Sequence, residues 1–113
     1  MSNLTGPSGT SSSGGTPISP SNGTLTNRSS TIAVAATAQQ LAAVNASRKY
    51  LLIENLDGAN SLWVNFTTTA VQSQPSIELK PGATLVMESS YVTTELISVI
   101  GPNAGQAFCA KEG

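Results

Sequence analysis

An all-β fold is predicted by three features of this 113-residue chain: a small antiparallel β-sandwich (jelly-roll or Ig-like) with an extended, low-complexity N-terminal arm. From Thr31 onward, short apolar runs follow one another with strand-like patterning. Gly, Pro, Asn and Asp punctuate them at intervals of about eight to twelve residues, the turn spacing of sandwich domains. Before Thr31 the chain is mostly Ser, Thr and Gly, with Arg28 as its only ionisable side chain.

Residues 1–30 therefore read as the arm and 31–113 as the sandwich domain. Such a polar segment cannot bury enough apolar surface to offset an ordering entropy of roughly 1–2 kcal/mol per residue. Pro7, Pro17 and Pro20 stiffen it locally, and its apolar anchors are Leu4, Ile18 and Leu25. It is either a linker with no role of its own or an arm that lies along a partner surface.

Thr31 to Ala35 alternates and reads as a first strand. Ala38 to Val44 is Ala-rich, but its shortness and its neighbours favour an extended segment. Arg48 to Asn55 is the clearest strand, and its continuous Tyr50-Leu51-Leu52-Ile53 core suggests that both faces are covered. Asp57-Gly58 then supplies a turn with positive φ. In Ser61 to Thr67, Leu62, Val64 and Phe66 face inward while Trp63 points the other way. These last two runs form the best hairpin candidate. Ser76 to Lys80 alternates with Ile77 and Leu79 inward. Pro81-Gly82 has the signature of a type II turn. Ala83 to Glu88, Glu95 to Gly101 and Gln106 to Lys111 complete the set of strands.

Composition narrows function. Five basic and six acidic residues give a net charge of −1, and only Arg48 and Lys49 are adjacent, so no basic stripe offers itself to nucleic acid. No run approaches the ~18 apolar residues of a membrane span. With no histidine and a single cysteine, neither a Ser-His-Asp nor a Cys-His arrangement can form within one chain. A zinc site would have to draw on Cys109 and scattered carboxylates. The chain is expected not to be an enzyme and to carry no catalytic, cofactor-binding or metal residues. Surface solvation is the expected role of the acidic residues Glu54, Asp57, Glu78, Glu88, Glu95 and Glu112, with local turn hydrogen bonds at Glu54 and Asp57. Cys109, between Phe108 and Ala110, reads as a small core residue. Gly101 to Gly105 lacks the Gly-Lys-Ser/Thr ending of a phosphate loop.

A domain of about 80 residues without disulfide or metal has a thin stability margin, so oligomerisation or docking onto a large partner is expected. Candidate contact residues are Ile18, Pro20 and Leu25 in the arm, with Trp63 and Tyr91 in the domain. For Trp63 three readings stand open: cover by a second sheet or by the 89–94 loop, a protein interface, or a sugar-stacking platform with Asn65 and Thr67.

Several segments together resemble one family. They are Asn45-Ala46-Ser47-Arg48-Lys49-Tyr50-Leu51-Leu52-Ile53-Glu54-Asn55, Leu62-Trp63-Val64-Asn65-Phe66, Pro75-Ser76-Ile77-Glu78-Leu79, Pro81-Gly82, Ile97-Ser98-Val99-Ile100-Gly101, Ala104-Gly105-Gln106-Ala107-Phe108 and Lys111-Glu112-Gly113. This pattern is similar to the small head decoration, or cement, proteins of tailed bacteriophages, and it spans Thr31 to Gly113 without the arm. The resemblance implies a structural virion protein, a homo-oligomer (dimer or trimer), that binds the major capsid protein on the capsid exterior and stabilises the shell by clamping neighbouring capsomers. It would be made in the host cytoplasm, and Met1 to Gly15 shows neither the basic nor the apolar region of a secretory signal. The same β modules occur in collar, fibre and tail accessories, which implies as the alternative a module binding another virion protein or host carbohydrate.

Overall fold

A computed structural model describes residues 23–113. Two antiparallel sheets enclose one core. The strands are β1 (Thr26–Asn27), β2 (Ser30–Thr31), β3 (Gln39–Ala42), β4 (Tyr50–Asn55), β5 (Leu62–Asn65), β6 (Ile77–Leu79), β7 (Thr84–Glu88), β8 (Ile97–Ile100) and β9 (Ala107–Glu112). Sheet I has the order β1-β9-β4-β7, with β2 also pairing β9, and sheet II has the order β3-β8-β5-β6. No helix occurs among the described residues. The chain is an all-β sandwich.

Alternation explains which side chains meet. Leu51 and Ile53 on β4, Phe108 and Ala110 on β9, Leu62 and Val64 on β5, and Ile97 and Val99 on β8 are each at most 2% exposed. Leu41, Leu79 and Ile32 complete the core, with Phe66, Leu85 and Met87 packed at its margin. Contacts of this kind contribute about 1.5–3 kcal/mol per fully buried aliphatic or aromatic side chain.

The chain changes sheet at almost every connection, and this corrects the expected hairpin. β4 and β5 are consecutive, but β4 pairs with β7 and β9 whereas β5 pairs with β6 and β8. The 56–61 turn is a corner between sheets. Asn55 Nδ2 secures it by donating to Asn60 O at 2.8 Å and to Leu79 O at 2.9 Å, which links sheet I to sheet II. Gly58 does not take a positive φ there. Asp57 shapes the turn instead, its Oδ2 accepting from the Ala59 and Asn60 amides. Pro81-Gly82 turns as expected, with Gly82 at φ 81° and Ala83 N–H bonded to Lys80 O, but this turn also joins the two sheets.

Four further expectations change. Ser30–Thr31 is the only strand at the expected first strand; Ile32 is buried, but Val34 is 58% exposed because the chain bends away through Ala36 at φ 53°. The Gln39 side chain takes over the pairing, accepting from Ala33 N–H and donating to Thr31 O. β4 buries alternate residues only, so Tyr50 and Leu52 lie half-buried on the outer face of sheet I. Ile77 faces inward beside Val64 but is 39% exposed, because β6 is the edge of sheet II. Cys109 lies opposite Glu54 on the outer face of sheet I and is half-buried, so Phe108 and Ala110, not Cys109, supply the core.

Thr26–Asn27 and Ser30 fall within the stretch read as arm, and they pair with β9. Ile18 and Pro20 lie outside the described residues.

Candidate partner-binding surface

One end of the sandwich holds the start of β4, the end of β9 and the 43–49 and 89–96 loops. Arg48 enters it fully buried. Its Nε donates to Glu112 Oε1 at 2.7 Å, Nη1 to Thr93 O at 2.7 Å and Glu95 O at 2.9 Å, and Nη2 to Ala43 O at 2.9 Å. Glu112, also buried, accepts in addition from Arg28 Nε at 2.7 Å and from Asn45 Nδ2 at 3.3 Å. Desolvation pushes the Glu112 carboxyl up, but the hydrogen bonds from Arg48, Arg28 and Asn45 outweigh it and hold the group below its ordinary value. Every buried oxygen of this knot therefore has a donor. The knot ties three loops and the last strand into one rigid platform.

Apolar side chains crown this platform. Leu25 is 51% exposed, Val44 64%, Tyr91 64% and Leu96 40%. Asn45 N–H bonds to Thr94 O, which sets Val44 beside the loop that carries Leu96. Tyr91 follows β7, whose Glu88 is paired with Tyr50. Leu25 precedes Thr26, the partner of Glu112. Two expected contact residues, Leu25 and Tyr91, thus come to the same end. Sequence reasoning passed over Val44 and Leu96, each lying in a run read as extended or strand, although both sit one or two residues beyond a strand end.

Trp63 lies elsewhere. It is half-buried on the outer face of sheet II, flanked by Ile100 on β8 and Glu78 on β6. Asn65 cannot serve a sugar site beside it. It is buried, and its Oδ1 already accepts from Thr67 N–H, Thr67 Oγ1 and Thr68 N–H. The 66–76 loop folds over this face, with Ala70 N–H on Ser98 Oγ. Between that loop and the crowned end lies a small cleft of about 160 Å³, lined by Phe66, residues 67–69, Glu95, Leu96 and Ser98.

Among the described residues, no group of three or more His, Cys, Asp or Glu side chains could hold a metal ion. No helix among them is long and apolar enough to cross a membrane. Comparison with protein-family models, with curated proteins and with solved structures found no match.

Proposed function

We propose that this chain is a structural virion protein that decorates the outer surface of an assembled phage capsid, with the end carrying Leu25, Val44, Tyr91 and Leu96 as its contact face. The observation that carries the reading is the pairing of exposed apolar side chains with a rigid, fully hydrogen-bonded platform beneath them. Rigid aromatic and aliphatic anchors lose little entropy on docking. The resemblance of Thr31 to Gly113 to phage cement proteins supplies the partner: the major capsid protein, bound by a dimer or trimer on the capsid exterior. The mechanism is mass action, because a ligand that binds only the assembled shell stabilises it by its binding free energy.

Quantitative mass spectrometry of purified particles tests this directly. A copy number in simple ratio to the major capsid protein is expected, and absence from the particle would overturn the reading. Tyr91→Ala and Leu96→Ala should each weaken capsid binding while leaving the fold intact. Removing residues 1–22, which spares β1, tests the contribution of Ile18 and Pro20.

A second reading, a fibre, collar or tail module that binds host carbohydrate, is favoured by the cleft that combines the Phe66 ring with Thr68, Thr69 and Glu95. A handful of copies per particle, with glycan-array binding lost in Phe66→Ala, would select it.

A further inference from the structure

The strap formed by β1 and β2 is attached differently from every other strand. All residues from Gly23 to Thr31 are exposed, and the core begins only at Ile32. The strap nevertheless keeps a single register along β9: Thr26 opposite Glu112, Asn27 opposite Lys111, Ser30 opposite Phe108 and Thr31 opposite Ala107. Where the ladder breaks, Ser29 repairs it, its Oγ accepting from Ala110 N–H at 2.9 Å. Arg28 N–H donates to Ala110 O at 2.7 Å. Two side-chain links complete the attachment, Arg28 to Glu112 at 2.7 Å and Lys111 Nζ to Asn27 Oδ1 at 3.2 Å. On its other side β9 pairs with β4 through residues of the core.

Lifting the strap therefore opens no apolar core, but it leaves an unpaired edge on β9 and strips one cation from buried Glu112. An open edge of this kind recruits another strand. The replacement must bring a hydroxyl to the Ala110 amide and a guanidinium beside Glu112 in the same register. Residues 26–31 of a second copy carry all of these. Exchange between copies re-forms the strap's hydrogen bonds from Thr26 to Ser30 and both side-chain links, while Thr31 gives up its place opposite Ala107 to bridge the two copies. It is opposed by that one pairing and by the entropy of association, which high local concentration diminishes. Ile32 remains anchored, its N–H on Gln106 O and its C=O accepting from Gly105 N–H. The strap pivots there, so the partners meet at the ends that carry Gly105.

We infer that the β9 edge is a docking site for the strap of a second copy of this chain, exchanged reciprocally. The interaction does not depend on which assembly the protein joins. The test uses the full chain with Cys109→Ser, Asn27→Cys and Lys111→Cys, prepared with two different tags, mixed, and linked by a short bis-maleimide. Linked dimers carrying both tags, increasing with protein concentration and absent from either single-cysteine chain, are the expected result. Links confined within single chains at every concentration would overturn the inference. In the unaltered chain, alternation turns the Ala110 amide toward the strap and those of Cys109 and Lys111 toward β4. Hydrogen exchange should be faster at Ala110, and equal protection at all three would equally overturn it.

Discussion

The two ends of the sandwich solve the same problem with different chemistry. At each end, loops from both sheets must be closed over a core that has no polar groups of its own to offer. The end described above uses charge: Arg48 and Glu112 are both buried, and five further polar groups complete their coordination. The opposite end uses side-chain amides. Asn55 bridges Asn60 O and Leu79 O, and Gln106 Nε2 reaches Ser61 O at 2.8 Å. A buried charge is held far more stringently than an amide, because losing one partner strands an ion in low dielectric. The charged end should therefore be the stiffer support, and it is the end that exposes Leu25, Val44, Tyr91 and Leu96. The amide end leaves one defect, since Gln106 Oε1 is buried with no hydrogen-bond partner among the described residues.

The largest test of this contrast is Arg48→Met. It leaves Glu112 with only Arg28 and Asn45 and orphans the carbonyls of Thr93, Glu95 and Ala43, so a loss of about 3–5 kcal/mol is expected in urea unfolding. Asn55→Ala, its counterpart at the amide end, should cost about 1–3 kcal/mol. Equal losses would dissolve the distinction between the two ends.

Gly101→Ala sharpens the view of the amide end. A Cβ at Gly101 would clash with Gln106 Oε1, and Gln106 is held in place by its bond to Ser61 O. Overpacking of this kind should cost about 1–3 kcal/mol. Adding Gln106→Ala removes the clash, so the double variant should be more stable than the sum of the two single losses predicts. Strict additivity would show that the close approach carries no energetic weight.

Acid separates the ends more finely. The folded pKa of Glu112 lies below its ordinary value of 4.5, so its stabilising contribution is complete above that value and is lost as pH falls through the lower folded value. Asp57 is also lowered, by hydrogen bonds from the Ala59 and Asn60 amides, and its contribution has the same sign. Because Glu112 is buried among cations and Asp57 lies at a surface turn, Glu112→Gln should flatten the acid limb of the stability profile more than Asp57→Asn does. A steeper dependence on Asp57 would place the acid-sensitive element at the amide end.

Much of the fold was legible in the residues. The alternation of Ser61 to Thr67 placed Leu62 and Val64 correctly because β5 is central in sheet II and shows one face to the core. Pro81-Gly82 was legible because its backbone conformation is local. The hairpin between β4 and β5 was misread because a tight turn specifies a reversal of direction, not the sheet to which the next strand belongs. Asn55 decides that, and nothing in its neighbourhood in the sequence announces a bond to Leu79 O. The apolar side chains at the charged end were half legible as exposed residues: Leu25 and Tyr91 stand out as apolar residues in polar stretches, whereas Val44 and Leu96 are camouflaged by adjoining strands. Glu112 read as a surface acid because its cations, Arg28 and Arg48, lie 84 and 64 residues away in the chain.

By itself, the sequence determined the strand content, the positions of most turns, the absence of histidine chemistry and the boundary at which the polar N-terminal stretch gives way to apolar patterning. These depend on composition and on a two-residue period, which act over a few neighbouring residues. Only the tertiary structure decided the switching of strands between sheets, the burial of Arg48 with Glu112, the repair of the β9 edge by Ser29 and the gathering of Leu25, Val44, Tyr91 and Leu96 at one end. Each of these joins groups far apart in the chain, and their free energy arises only when packing removes water from both partners at once.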